Sequence, residues 1–332
     1  MVDGVAPSEL AVQSVGEAAE VVEGVWQLKL PVPFPLRFVS VYLVEGDDGW
    51  TLIDSGYDYP PAREAWEAGA LAAGCDLSQD IAGIVVTHFH PDHIAAARWL
   101  QELSAAPVSM MEEEIPFARR IWGSPDAEPF VGLLVRHGMP REMAETAAGA
   151  MRGGLRLPEE ILSLRAGEKV PMGNGSALVV HAPGHADHQL VLHDEGRRIL
   201  YAADHLMLGI TPNVGIWPET EPYPLDRYLG SLASMRGLEA DLVLPGHGPV
   251  FGDLDGRISE IMEHHAERLD AMRAEIEAPA SAYEVSRQLF RGALSVHQRS
   301  FALAETLAHL DHLVLEGRAR VREGAPVAFE AA

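Results

Sequence analysis

The residues best suited to chemistry in this chain stand together in the segment THFHPDH, at residues 87–93. Four potential metal ligands fall within six positions, directly after an apolar run typical of a strand that is buried on both faces. A loop that leaves a strand can turn alternate side chains towards one point, so His88 and His90 can share one metal ion. Asp92 and His93 then face a second position. Because imidazole and carboxylate groups suit zinc and iron, the segment predicts a metal site.

Three further side chains with the same chemistry follow predicted strands elsewhere in the chain, namely His185, Asp204 and His247. Open α/β sheets usually build their sites at the carboxyl ends of strands, where all three stand. A glycine beside each of these two histidines permits a tight turn and a close approach of the backbone to a metal ion. In sum, five histidines and two aspartates are enough for two metal ions about 3.5–4 Å apart, joined by a bridging carboxylate and a bridging hydroxide.

The elements that must position these residues follow from the pattern along the chain. Runs typical of β-strands come first, and strands then alternate with helices, which indicates a layered α/β sandwich. Helical patterns broken by turns occupy approximately residues 112–165 and predict an inserted helical subdomain. After residue 256 the pattern becomes three helices and a hairpin, as in a winged helix. We therefore predict a catalytic domain at 1–256 and a winged-helix-like domain at 257–332.

Taken together, these motifs resemble the metallo-β-lactamase superfamily, in the hydrolase branch that includes glyoxalase II, over roughly residues 21–255. The resemblance implies an αββα sandwich that carries a dinuclear metal site at one edge. The ligands that it implies are His88, His90 and His185 for the first ion, Asp92, His93 and His247 for the second ion, and Asp204 as a bridge between them. It also implies that Asp54, in the segment LIDSG, orients a ligand histidine from behind.

The same resemblance implies a metal-dependent hydrolase. Two metal ions would lower the pKa of a shared water to give a bridging hydroxide, and one ion would polarise the scissile oxygen. Asp92 is the catalytic residue in this scheme, because it would bind metal and relay a proton to the leaving group. The expected cofactors are two divalent metal ions. Zinc is the first choice, and iron and manganese stay open because the ligands accept all three metals.

Departures from related branches narrow the expected reaction to hydrolysis of a small ester, thioester or lactone. Asp204, together with the absence of a cysteine near the motifs, disfavours β-lactam hydrolysis as the native role. The histidine at position 90 stands where flavodiiron oxidoreductases carry glutamate, which disfavours that branch. Two alternatives stay open. One is a phosphodiesterase or endoribonuclease of the same fold, and the other is a persulfide dioxygenase with a single iron.

Other residues are expected to shape the surroundings of the metal site. His205 follows Asp204 in the sequence and is expected to support the ligands, while Trp217 and Tyr223 are expected to contact the substrate. The insertion either packs as a cap on the sandwich or covers the metals as a lid, and we favour the lid. An apolar pocket under such a lid would suit an acyl or aromatic substrate.

Composition limits the partners of the protein. The 332 residues include 49 Asp and Glu against 25 Lys and Arg, which gives a net charge of −24 and argues against general binding of nucleic acid. The C-terminal helix predicted at 301–316 contains no Arg or Lys. We therefore expect the C-terminal domain to serve packing or dimerisation, which leaves a homodimer open. The single cysteine, Cys75, excludes an internal disulfide framework.

Hydropathy gives no sign of a membrane protein. No apolar stretch approaches the roughly 20 residues of a membrane span. The segment 1–13 lacks the basic region followed by an apolar run that marks a signal peptide. We therefore expect a cytoplasmic enzyme that acts on a small-molecule substrate.

Overall fold

The computed structural model describes residues 14–123, 126–151 and 154–332. The prediction about the N-terminal segment falls on residues outside these ranges, as does part of the predicted insertion. Within the ranges the chain forms two β-sheets, with helices on their outer faces, and a further group of helices with a small sheet at the C-terminal end.

Among the described residues, seven strands form the first sheet in chain order. They are β1 (Ala18–Val22), β2 (Val25–Pro31), β3 (Phe38–Val44), β4 (Trp50–Ile53), β5 (Ile81–Val85), β6 (Val108–Met111) and β7 (Leu162–Leu164). Neighbours from β1 to β4 run antiparallel, and neighbours from β4 to β7 run parallel. The apolar strand β5 leads directly into the segment THFHPDH.

The second sheet has the strand order β12-β11-β10-β9-β8. Its strands are β8 (Lys169–Met172), β9 (Gly175–His181), β10 (Leu190–Asp194), β11 (Ile199–Ala203) and β12 (Leu242–Pro245). β11 and β12 run parallel, whereas the other neighbours run antiparallel. His185, Asp204 and His247 follow β9, β11 and β12, so these strands deliver three of the predicted ligands to one place.

Helices cover the outer faces of the sheets and continue into the C-terminal region. In the described part of the chain they are α1 (Pro60–Ala73), α2 (Pro91–Ile94), α3 (Ala97–Ser104), α4 (Glu114–Gly123), α5 (Glu128–Arg136), α6 (Arg141–Met151), α7 (Pro224–Ser234), α8 (Leu254–Glu275), α9 (Ala282–Leu289) and α10 (Val296–Leu315). Proline opens α1, α2 and α7, where its missing N–H breaks no hydrogen bond of the helix. None of the helices in these ranges has the length and apolar character needed to cross a bilayer.

The core has a layered arrangement. Tyr42, Ile53 and Tyr201 are among the buried side chains that join the inner faces of the two sheets. Trp66 of α1 and Leu100 of α3 pack on the outer face of the first sheet. α7 and α8 pack on the outer face of the second sheet. The order helix, sheet, sheet, helix confirms the predicted αββα sandwich.

The insertion, predicted to be helical at 112–165, contains α4, α5 and α6 but ends in a strand. β7 pairs with β6 at the edge of the first sheet, and its three residues are too few to show a periodic pattern in the sequence. The insertion also contacts the C-terminal elements. The N–H groups of Tyr283 and Val327 donate to the carbonyl groups of His137 at 3.1 Å and Arg136 at 3.0 Å.

The C-terminal region contains α8, α9 and α10 followed by a hairpin, in the predicted order. The hairpin strands are β14 (Ala319–Arg322) and β15 (Ala328–Ala331), and β15 also pairs with the short β13 (Ala280–Ser281). α10 begins at Val296 rather than at 301, because Ser295 and Gln298 form a capping box. Most of α10 is buried in the chain's own core. The winged-helix label itself stays a prediction.

Candidate metal centre

The seven predicted ligand side chains meet beyond the ends of β5, β9, β11 and β12. Three groups each bring three ligand atoms within 4.8 Å of one another: His88, His90 and His185; His88, His93 and Asp204; and Asp92, His93 and His247. Because the groups share residues, they form one continuous cluster. The fold therefore brings together residues that the sequence places far apart.

The first group consists of three histidine rings whose nitrogen atoms point at one another. Nδ1 of His90 lies 2.9 Å from Nε2 of His88 and 2.8 Å from Nε2 of His185. Burial lowers the pKa of His88 well below its usual value, and burial and the neighbouring His185 lower the pKa of His90 to about 3. Both rings are therefore neutral near pH 7, which is the form of imidazole that binds a metal ion.

The group of Asp92, His93 and His247, called the second group below, combines a carboxylate with two imidazole rings. Oδ2 of Asp92 lies 3.3 Å from Nε2 of His247 and 3.9 Å from Nε2 of His93. Burial opposes a charge on His247, but the carboxylates of Asp204 and Asp92 raise its pKa to about 10. A proton and a metal ion would therefore compete for this nitrogen.

Asp204 lies between the first group, which contains His185, and the second group, which contains His93 and His247. Its Oδ1 is 3.4 Å from Nε2 of His93, and its Oδ2 is 3.4 Å from Nε2 of both His185 and His247. One carboxylate therefore faces histidines of both groups, which is the arrangement that a bridging carboxylate requires.

Several buried ligand atoms have no hydrogen-bond partner among the described residues. They are Nε2 of His93, Nε2 of His247 and Oδ1 of Asp204. A buried polar atom without a partner costs about 1–3 kcal/mol, and more when it carries charge. A divalent cation would remove this cost, because imidazole nitrogen and carboxylate oxygen are both metal ligands. By this criterion the residues fit a metal site.

Asp54 holds two of the histidines from behind. Its Oδ2 accepts a hydrogen bond from Nδ1 of His93 at 2.8 Å, and it also accepts one from the Thr87 hydroxyl at 2.9 Å. The Thr87 oxygen lies 3.0 Å from Nδ1 of His88. Since the hydroxyl hydrogen goes to Asp54, the oxygen accepts from His88, and Nε2 of each ring is left free. The sequence pointed to Asp54 but not to Thr87.

Main-chain carbonyl groups hold two further histidines. Nδ1 of His247 donates to the Phe38 carbonyl at 2.8 Å, and Nδ1 of His185 donates to the Asn213 carbonyl at 3.0 Å. A carbonyl oxygen only accepts, so Nδ1 carries the hydrogen and Nε2 faces the cluster. The sequence does not single out Phe38 and Asn213, because a main-chain contact leaves no signature in the residue type.

The insertion contacts the ligand loop through α4. The buried Glu114 accepts a hydrogen bond from the Phe89 N–H at 2.9 Å, and Nε1 of Trp122 donates to the Phe89 carbonyl at 2.8 Å. Burial raises the pKa of Glu114 to about 8, although the N–H groups of Phe89 and His188 act in the opposite direction. Glu114 therefore links the insertion to the loop that carries His88 and His90, and no sequence pattern singled it out.

Two of the other predicted residues lie beside α7. His205 is buried, and its Nε2 is 3.2 Å from the Ser231 hydroxyl, so its ring faces that helix. Tyr223 stands at the start of α7 with 42% of its surface exposed. Its backbone contacts Asp311 of α10. The supporting role of His205 and the substrate contact of Tyr223 stay predictions.

Trp217 belongs to an aromatic cluster that also contains Phe130 and Phe301. The ring centroid of Trp217 is 5.8 Å from that of Phe130, in a stacked arrangement, and 5.1 Å from that of Phe301, in an edge arrangement. The cluster therefore joins the insertion, the loop after β11 and the C-terminal helix α10. The substrate contact of Trp217 stays a prediction.

The fold and the cluster define a class of protein. Residues 34–247 match the family model described as Metallo-beta-lactamase superfamily. Residues 269–330 match the family model described as Metallo-beta-lactamase-like, C-terminal domain. The chain belongs to the metallo-β-lactamase superfamily.

Individual relatives agree with this membership. The chain is 27% identical over 315 residues to the probable metallo-hydrolase YqjP of Bacillus subtilis (strain 168), across 89% of this chain and 93% of that protein. It is 26% identical over 225 residues to the human acyl-coenzyme A thioesterase MBLAC2, across 64% and 74% of the two proteins. The crystal structure of a metallo-beta-lactamase family protein from Thermus thermophilus superposes with a TM-score of 0.84 at 32% identity, across 94% and 100% of the two chains.

These findings confirm the predicted superfamily, its fold and its broad class, a metal-dependent hydrolase. The finer predictions stay predictions: the branch that includes glyoxalase II, zinc as the metal, the number of ions and the role of each site residue.

Proposed function

We propose that this protein is a dinuclear metal-dependent hydrolase that acts on a small ester, thioester or lactone. The observation that carries the proposal is the position of Asp204, whose Oδ1 is 3.4 Å from His93 Nε2 and whose Oδ2 is 3.4 Å from His185 Nε2. A carboxylate held in this way supports two ions close together. The proposed ligands are His88, His90 and His185 for one ion, Asp92, His93 and His247 for the other, and Asp204 for both.

Two divalent ions at this centre would supply hydroxide from a shared water at neutral pH and polarise the scissile carbonyl oxygen. The chain's own residues position the ligands and move a proton. Asp54 and the carbonyl groups of Phe38 and Asn213 keep histidine rings in the tautomer with a free Nε2. Asp92, with Oδ2 3.3 Å from Nε2 of His247, is assigned the transfer of a proton to the leaving group. The scheme needs no serine or cysteine nucleophile.

A thioester is the first substrate to test within this class. One relative carries the name acyl-coenzyme A thioesterase. The aromatic cluster of Phe130, Trp217 and Phe301 would also suit contact with an acyl chain. Zinc is the proposed metal, with iron and manganese as alternatives. A cytoplasmic location and a homodimer complete the proposal as predictions of their own.

Several features support a small-molecule substrate over nucleic acid. The net charge is −24, and residues 301–315 of α10 contain no Arg or Lys. Most of α10 is buried against other elements of the same chain, so this helix is not free to enter a groove of nucleic acid.

A substrate screen on metal-loaded protein tests the proposal. Metal-free full-length protein is loaded with zinc, iron or manganese, and hydrolysis of ester, thioester, lactone and phosphodiester substrates is measured. Oxygen uptake with a persulfide is followed in parallel. We expect hydrolysis of a carbonyl substrate at two ions per chain, lost in Asp92→Ala and kept in Asp58→Ala, whose carboxylate pairs with Arg63 at the surface.

Three results of the screen would count against the proposal. Cleavage of phosphodiesters alone would favour the nuclease alternative. A single iron per chain with oxygen uptake would favour the dioxygenase alternative. Normal hydrolysis by Asp92→Ala would show that the site assignment is wrong.

A further inference from the structure

The orientation of His185 depends on one main-chain carbonyl group. Nδ1 of His185 donates to the Asn213 carbonyl at 3.0 Å, and Nε2 on the other side of the ring lies 2.8 Å from Nδ1 of His90. His185 also faces Asp204, with Nε2 3.4 Å from Oδ2. A shift of Asn213 would therefore turn a ring that joins the first histidine group to Asp204.

Asn213 is held by the C-terminal helix α10. Its Nδ2 donates to Oε2 of Glu305 at 3.1 Å and to the Phe301 carbonyl at 3.4 Å. Three residues further along the loop, the Ile216 N–H donates to the Ala304 carbonyl at 3.1 Å. Positions 301, 304 and 305 lie on one face of a helix, so the loop docks along a single face of α10.

The loop approaches this face closely. A Cβ added to Gly215 would lie 3.0 Å from the Cβ of Ala304, so a larger residue on either side would crowd this contact. Beside this contact, the ring of Trp217 packs on Phe301 at 5.1 Å. Hydrogen bonds and packing therefore fix the loop to α10 at several points.

Glu305 is the charged residue in this contact. Its side chain is only 15% exposed, and Oε1 lies 3.7 Å from the guanidinium group of Arg268 on α8. Both carboxylate oxygens thus have partners, one from the loop and one from the C-terminal region itself. A buried carboxylate with such partners stays ordered. If either partner is lost, one carboxylate oxygen is left unpaired.

We propose that Glu305 is a positioning residue of the metal centre, which fixes His185 through Asn213. The C-terminal helix α10 then helps to complete the first group of ligands, in addition to packing on the catalytic domain. The inference rests on the proposed metal centre, because it assumes that His185 binds an ion. Glu305 is not one of the proposed ligands, and the contacts described above join it to Asn213 and Arg268 rather than to a ligand side chain.

Metal retention by full-length variants tests this inference without substrate. Glu305→Ala removes the acceptor of the Asn213 amide, Glu305→Gln keeps an acceptor of the same length, and Glu316→Ala changes a carboxylate directly after α10. The variants are loaded with zinc, and ions per chain are counted after treatment with increasing chelator. We expect Glu305→Ala to lose one ion about tenfold more readily than wild type, the lower end of the range for direct partners of ligand histidines, because Glu305 acts through Asn213. Glu305→Gln and Glu316→Ala should retain zinc nearly as wild type does.

A second variant separates positioning from general instability. Asn213→Ala removes the other side of the same hydrogen bond and should show the same loss as Glu305→Ala. The double variant should retain zinc about as well as the weaker single variant, because both changes break the same hydrogen bond between Asn213 and Glu305. Additive losses, or unchanged zinc retention in both single variants, would overturn the inference.

The outcome for wild type distinguishes this inference from the proposed function. Wild type that binds none of zinc, iron and manganese would overturn both. Wild type that binds two ions and hydrolyses its substrate, together with unchanged Glu305→Ala, would overturn only the role of Glu305.

Discussion

Nδ1 of His93 lies 2.8 Å from Oδ2 of Asp54, and both side chains are buried. The Asp54 carboxylate accepts three hydrogen bonds at once, from His93 and from the N–H and hydroxyl of Thr87. Asp54 has a left-handed backbone conformation with φ of +63°, which aspartate tolerates better than most residues. One side chain therefore fixes the tautomer of one histidine and, through Thr87, of a second.

Asp54→Asn should weaken metal binding about 10–100-fold. The variant keeps the shape of the side chain but brings an amide that can donate to Nδ1 of His93, which favours the tautomer with the hydrogen on Nε2. Ions per chain after graded chelator would measure the effect. Asp58→Asn, at a surface ion pair, is the matched control. Equal retention of metal by both variants would contradict the role of Asp54.

Glu114→Gln should change how the stability of the metal-free protein depends on pH. Burial raises the pKa of Glu114 to about 8 in the folded state, above the ordinary glutamate value of 4.5 that applies to the unfolded chain. The folded state holds this proton more tightly, so the contribution of Glu114 to stability falls as the pH rises from about 4.5 to about 8. Glu114→Gln has no carboxyl group at this position to ionise, so its stability does not fall for this reason. It should match wild type near the lower pH and exceed it at the higher one, by an amount on the order of 4–5 kcal/mol, since one pKa unit corresponds to roughly 1.4 kcal/mol.

Denaturant unfolding of both proteins in chelator, at several pH values, measures this difference. Chelator is needed because metal binding itself depends on pH. A constant difference in unfolding free energy across the range would mean that Glu114 ionises normally in the folded protein.

Gly184→Ala should destabilise the fold next to His185. Gly184 has φ of +137°, and a Cβ there would lie 2.4 Å from the Cβ of Tyr228. Gly74→Ala is the matched control, since its φ of +82° is also unfavourable for alanine but its surroundings are open. We expect about 1 kcal/mol of lost stability for the control, and about 1–3 kcal/mol more for Gly184→Ala because of the added clash. Equal losses in denaturant unfolding would show that the loop relaxes around the new methyl group.

Trp217→Ala should weaken substrate binding without removing metal. If the aromatic cluster forms a wall of the substrate pocket, loss of the indole ring should raise KM for a long acyl substrate about tenfold, the effect of roughly 1.4 kcal/mol. Metal content should stay at the wild-type level. Trp99→Ala, where the ring packs against Arg63, controls for the loss of a tryptophan elsewhere. An unchanged KM in Trp217→Ala would show that the indole ring packs within the loop and does not contact the substrate.

The ligand residues were predictable because much of their signal is local. THFHPDH places four side chains after one apolar strand, and the chemistry of His and Asp is readable from residue type alone. The αββα layers followed from strands that alternate with helices and from the superfamily that the motifs resemble. Asp54 was found through the same resemblance.

The residues that hold the ligands in place were harder to predict. Asn213 and Phe38 act through main-chain carbonyl groups, and Glu114 acts on the main chain of Phe89, so their side chains show no motif. Their roles depend on tertiary contacts between distant segments. The edge strand β7 was missed because three residues carry no period, and the direction of the His205 ring depends on α7 rather than on neighbouring residues.

The central claim is that Asp204 joins the two ligand groups into a centre for two metal ions. The most direct test is a zinc titration of full-length wild type and Asp204→Asn, with ions per chain counted by native mass spectrometry. We predict that wild type saturates at two ions and that the variant holds one tightly. Saturation of wild type at a single ion, or tight binding of two ions by the variant, would contradict the claim.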